Sequence, residues 1–155
     1  MSGAYTSVPD VIDYLVTTIT ALPECVGVEV TDGFPGTYQA QQMVCVGGGP
    51  DDDEQSAVRD FAVLGNGPSS REENYGVPVY VRCWGGGTDQ KTPRDQAFAI
   101  FKAIDLMIRA GLGTAISAHY PPRIGDLILI QTKSAGATAG RVAELHFTVN
   151  VKHRY

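Results

Sequence analysis

The last fifteen residues, RVAELHFTVNVKHRY, constrain the fold more than any other stretch of this chain. Leu145, Phe147, Val149 and Val151 fall at alternate positions, with Glu144, His146, Thr148, Asn150 and Lys152 between them. Successive side chains of an extended backbone point to opposite faces. Such a segment is a strand with one buried face, and it needs a sheet beside it and a second layer over its apolar side. The run RIGDLILIQTKS precedes it, with AGATAG between the two. A long antiparallel hairpin with a mobile, small-residue tip is therefore expected.

Two segments can supply the covering layer. In SVPDVIDYLVTTITAL, residues Val8, Val11, Ile12, Leu15, Val16, Ile19 and Leu22 recur at three- and four-residue steps, which makes one apolar stripe on a helix. Ser7 is expected to cap it, with Pro9 in the first turn, Asp10 completing a capping box and Pro23 ending it. In TPRDQAFAIFKAIDLMIRAG, Thr92 is expected as the cap, Pro93 at the first helical position and Gly111 as the stop. Ala97, Phe101, Ile104 and Ile108 share one face of that helix, widened by Ile100 and Met107.

Between the helices, CVGVEVTDG, QAQQMVCVGGG, SAVRDFAVLG and VPVYVRCW read as short strands separated by turn chemistry. The expected fold class is α+β: a sheet of about five to six strands, antiparallel throughout, with two amphipathic helices packed on one face. No repeat and no linker divides the sequence, so residues 1–155 are read as one domain.

Composition narrows the function classes. A net charge of −5 with scattered basic residues argues against a surface that grips nucleic acid. No apolar run approaches the roughly 20 residues of a membrane-crossing helix, and the opening MSGAYTSVPD lacks the pattern of a signal peptide, so no membrane partner and a cytoplasmic site of synthesis are expected. Cys25, Cys45 and Cys83 are odd in number and lie in or beside apolar runs, as buried thiols of a reducing compartment do.

The stretch VCVGGGPDDDEQ is the most conspicuous candidate for chemistry. A phosphate loop needs a Lys beside a Gly, which GGGTDQKT lacks, and a dinucleotide turn would not place Asp51, Asp52, Asp53 and Glu54 against a pyrophosphate. Calcium loops space their ligands at alternate positions, and consecutive acids do not. A solvated acidic loop is the remaining reading. His119, His146 and His153 lack ligand spacing, with His146 expected to be exposed, and no nucleophile elbow or zinc-helix motif occurs. No catalytic residue, cofactor or metal is assigned, and the chain is not read as an enzyme.

The opening amphipathic helix, VPVYVRCWGGG, PRDQAFAIFKAIDLMIRAG and the closing ELHFTVNVKHRY together resemble, in pattern and order over nearly the whole chain, tail terminator proteins of long-tailed bacteriophages. Tail-completion proteins look similar. The resemblance implies a virion protein, assembled in the host cytoplasm, that forms a homo-oligomeric ring, usually of six subunits, at the head-proximal end of the tail. Its implied partners are further copies of itself, the tail tube protein and a neck or head-completion protein, with DNA passing through the ring without specific binding. The acidic insertion at 50–56 and the tip at 134–140 depart from that layout.

Two segments then become candidates for contact. Asp51, Asp52, Asp53 and Glu54 are expected to face the lumen or a partner ring, where negative charge would keep DNA from sticking. The loop NGPSSREENYG, with Arg71, Glu72 and Glu73, is expected to be mobile in the monomer and ordered by a neighbouring subunit. The residues leave open another head-to-tail connector of the same fold and, from a different class, a small-molecule-binding domain or enzyme whose site is assembled from distant residues.

Overall fold

The computed structural model describes residues 6–36, 41–49, 58–63, 71–118, 120–134 and 140–154. In chain order the elements are α1 (Val8–Thr20), β1 (Glu29–Asp32), β2 (Gln42–Val46), β3 (Val58–Val63), β4 (Arg71–Gly85), α2 (Lys91–Met107), α3 (Gly113–Ala115), β5 (Arg123–Ser134) and β6 (Gly140–Arg154). A 3-10 turn, Pro23–Cys25, follows α1, and a π-helical segment, Ile108–Leu112, joins α2 to α3. The class is α+β, as the alternation of β6 required.

The sheet runs β1-β2-β4-β6-β5. Its spine is the antiparallel ladder of β4 with β6, which pairs Glu72 with Arg154 at one end and Gly85 with Arg141 at the other. The opposite edge of β4 is shared: β2 pairs along Val79 to Cys83, and β3 along Arg71 to Gly76. The expected hairpin of β5 with β6 is present, with a register shift between Gly125 and Ile128 where Asp126 takes a positive φ of 57°. Asp tolerates that backbone conformation better than most residues do.

Two sequence expectations are corrected here. Pairing is not antiparallel throughout, because β1 lies parallel to β2. Two short runs give no local signal of which way they will pair. The second concerns Gly111, which does not stop the second helix; helical backbone continues through the π segment to Ala115. A Cβ at Gly111 would come within 2.6 Å of the Tyr14 hydroxyl, so this glycine allows α1 to approach.

Both helices lie on one face of the sheet. Val11, Leu15 and Ile19 of α1 and Ala97, Ile100 and Ile104 of α2 are buried against Val77, Val79, Val81, Leu145, Phe147 and Val149. Phe101 meets Phe147 edge to face at 5.1 Å between ring centroids. Each fully buried aliphatic or aromatic side chain here is worth roughly 1.5–3 kcal/mol relative to exposure. Cys25, Cys45 and Cys83 are all free and buried.

The helix starts differ in detail from expectation. At α1, the Thr6 hydroxyl rather than Ser7 accepts the Val8 N–H, at 3.1 Å. At α2, the Asp89 carboxylate accepts the Lys91 N–H at 2.8 Å and the Thr92 hydroxyl at 2.7 Å. Thr92 therefore lies inside the helix, and Asp89 is the group that satisfies its first turn.

Candidate functional site

The glycine run after β2 has a structural use. Gly47 and Gly48 take φ values of 99° and 127°, and the Gly47 N–H donates to the Pro78 carbonyl at 2.7 Å. A Cβ on Gly49 would lie 2.9 Å from Tyr80 Cγ. These residues fold back over the second face of the sheet, where Met43, Cys45 and Tyr80 form a small cluster with Phe34. The glycines serve close approach to an aromatic ring, and the acidic residues that follow them, Asp51, Asp52, Asp53 and Glu54, lie outside the described residues.

Arg71, Glu72 and Glu73 were expected in a loop, and the structure places them in the first turns of pairing of β4. Both edges of this stretch are hydrogen-bonded, to β3 and to β6. Gly76, which reads as a turn residue in the sequence, is a strand residue whose missing Cβ makes room for Thr148: a Cβ there would lie 2.5 Å from Thr148 Cγ2.

Glu73 is fully buried at the entry to α1. Its carboxylate accepts the Ser7 N–H at 3.1 Å and the Ser7 hydroxyl at 3.3 Å, together with a short bond from the Thr6 hydroxyl. The Ser7 and Tyr75 hydroxyls share a further bond of 2.7 Å. A buried carboxylate would be costly alone, and these donors compensate it. Glu72 is held from the other side. Lys152 Nζ lies 3.1 Å from Glu72 Oε1 and 4.7 Å from the centre of the Tyr120 ring, and the Tyr120 hydroxyl donates to Glu72 Oε2 at 3.4 Å. Neither cluster is visible in the sequence, because each joins segments that lie far apart along the chain, Ser7 with Glu73 in one and Glu72 with Tyr120 and Lys152 in the other.

His146, expected to be exposed, is partly buried: its ring lies 5.0 Å from that of Tyr80, whose hydroxyl donates to Glu144 at 2.9 Å. His153 is buried and sits opposite Glu73 in the β4–β6 register, while His119 lies outside the described residues. Two open clefts of about 510 and 530 Å³ flank Tyr120 and Pro121. Of their charged groups, Asp105 pairs with Arg109 at 2.6 Å and Lys152 with Glu72, while Arg123 lines both clefts. Among the described residues no three His, Cys, Asp or Glu side chains gather as a metal site would need, and no helix is long and apolar enough to cross a membrane.

The surface feature that stands out is the outer edge of the sheet at β5. Four consecutive aliphatic residues, Leu127 (41%), Ile128 (56%), Leu129 (37%) and Ile130 (41%), remain exposed, so neither face of this stretch of β5 is covered. Ile128 and Ile130 lie opposite His146 and Glu144 on the helix-free face, while Leu129 lies opposite Leu145 on the helix-covered face. A continuous aliphatic run is the mark of a strand buried on both faces, and one exposed at a sheet edge is a site for pairing with another chain. The sequence places a strand here, but whether a strand is central or terminal is decided by the rest of the sheet.

No family model matches this chain, and no curated protein matches it in sequence. Among solved structures it is similar to a chain described as the virion of a native gene transfer agent particle, with 15% identity over 91% of both chains and a TM-score of 0.42. A likeness of that size carries no functional assignment.

Proposed function

We propose that this chain is a structural virion protein: a single tail-terminator-like domain whose copies form a ring of six at the head-proximal end of a phage tail, end tube growth and join the tail to the neck. The observation that supports this reading is the uncovered β5 edge. A strand with aliphatic side chains on both faces and no cover is an element that another polypeptide completes. The order of helix, strands, helix and closing strand on which the resemblance rests is the order of elements in the structure. In this reading one ring face docks on the last tube ring and the other receives the neck protein, and DNA crosses the lumen without specific binding.

Asp51, Asp52, Asp53 and Glu54 are proposed to face that lumen or the partner ring. Glu72 and Glu73 are engaged within their own chain, so a role at a subunit boundary for the segment around 71 falls to Arg71 and the residues before it.

Light scattering over a wide concentration range, followed by particle imaging alone and with polymerising tube protein, tests the proposal. Six-fold rings at tube ends, and shorter tubes as the chain is added, are the expected result. Tubes that lengthen unchanged and carry no ring overturn it, and an imaged ring with residues 51–54 on its outer wall overturns the lumen assignment.

A further inference from the structure

The sheet is open at both of its ends, and the two ends differ in kind. At one end β5 presents residues 127–130, a run about 13 Å long at the usual rise per residue. At the other end β1 is also the terminal strand, and among the described residues nothing pairs with its outer edge. It too has four residues, Glu29–Asp32, and so about the same length. Beside it lies a shallow groove of about 370 Å³ whose apolar lining includes Val26, Val28 and Ile100. Val26, at 85%, is the most exposed of the large apolar side chains described.

The charges differ as well. Glu24 and Asp32 are exposed and Glu29 is half-buried at the β1 end, whereas Arg123 and Lys133 are exposed at the ends of β5. None of these five enters an ion pair among the described residues. Asp126, at the bulge, is the one acidic residue of β5.

We infer that these two ends are the two halves of one contact: the β5 edge of one copy, through Leu127, Ile128, Leu129 and Ile130, seats on the β1 edge of the next copy, over Val26 and Val28. Unpaired backbone groups on the two edges supply the hydrogen bonds, the aliphatic run fills the groove, and Lys133 and Arg123 meet the acidic β1 end. Because the two surfaces are different, the contact is head to tail, and a head-to-tail contact closes into a ring when its rotation allows. Pairing of β5 with itself would make a two-fold dimer and leave Val26 and its groove uncovered. The inference rests on the ring reading above and adds the subunit contact to it.

Single cysteine variants test it. Val26→Cys and Ile128→Cys alter exposed side chains, and each is purified separately, mixed and oxidised mildly. A disulfide-linked species that forms in the mixture and in neither variant alone is the expected result. The double variant Ile128→Lys, Ile130→Lys should retain its far-ultraviolet dichroism and weaken self-association about tenfold or more. A cross-link of Ile128→Cys with itself overturns the inference, because the edge then pairs isologously. Assembly to a large particle with no mixed cross-link overturns the contact and leaves the ring standing. A monomer at every concentration, with no mixed cross-link and no ring on tube ends, overturns both.

Discussion

The carboxylate of Glu73 accepts the backbone N–H of Ser7 at 3.1 Å, which ties the start of α1 to the start of β4 across more than sixty residues of chain. Removing that acceptor leaves the Ser7 N–H and hydroxyl and the Thr6 hydroxyl with fewer partners. Glu73→Ala is expected to destabilise the fold by about 2–4 kcal/mol. Chemical denaturation measures this, and faster hydrogen exchange at the first turn of α1 would locate the effect. A loss below about 0.5 kcal/mol, the usual range for a surface change, would mean that the anchor is not energetically important.

Gly76 and Thr148 give a second test. A Cβ on Gly76 would meet Thr148 Cγ2 at 2.5 Å, too close for any real contact. Gly76→Ala should cost about 1–3 kcal/mol through overpacking, and Thr148→Ser, which deletes the methyl group, should recover much of that loss in the double variant. Additive losses would show that strain elsewhere is responsible.

Some of this was legible in the sequence and some was not. The alternation of Leu145, Phe147, Val149 and Val151 places β6 correctly, and the stripe of Val11, Leu15 and Ile19 places α1, because burial on one face imposes a period on the chain. The first part of β4 was hidden for the opposite reason. Two glutamates and a glycine carry the signs of a loop, and only partners far away in sequence, Ser7 for Glu73 and Thr148 for Gly76, make them strand residues. The parallel pairing of β1 and the terminal position of β5 depend on the order of strands in the sheet, which no local pattern encodes. The candidate contact surface was therefore out of reach, although each of its residues was read as part of a strand.

Burial pushes the Cys83 thiol up to about 12 from an ordinary value of 9.0. Below pH 9 the folded and unfolded states both hold the proton, so the thiol contributes no pH dependence there. Above it the unfolded state releases its proton first, so stability should fall with rising pH by up to about 1.4 kcal/mol per unit until the folded thiol also ionises near 12. Comparing alkaline unfolding of the wild type with Cys83→Ala isolates this contribution. A thiol that reacts rapidly with a disulfide reagent in the native protein at pH 8 would contradict the burial.

Asp89 is the cap of α2, and its hydrogen bonds from Thr92 and from the Lys91 amide hold its carboxyl below the ordinary value. Asp89→Ala should lower the melting temperature, whereas Asp89→Asn, which keeps an acceptor, should lower it less. Thermal denaturation above pH 6 distinguishes the two. Equal losses would show that charge, and not the hydrogen bond, fixes the helix start.

β2 and β3 occupy successive stretches of the same edge of β4, one against Val79 to Cys83 and the other against Arg71 to Gly76. Each is held in register by β4 independently of the other, so the length of the connection between them is not fixed by either ladder. Lengthening a flexible connection costs only about 0.6 kcal/mol per doubling. Related chains can therefore diverge here in size and charge while the spine of the sheet stays the same, which makes this junction a natural place for a lineage to fit itself to a new partner.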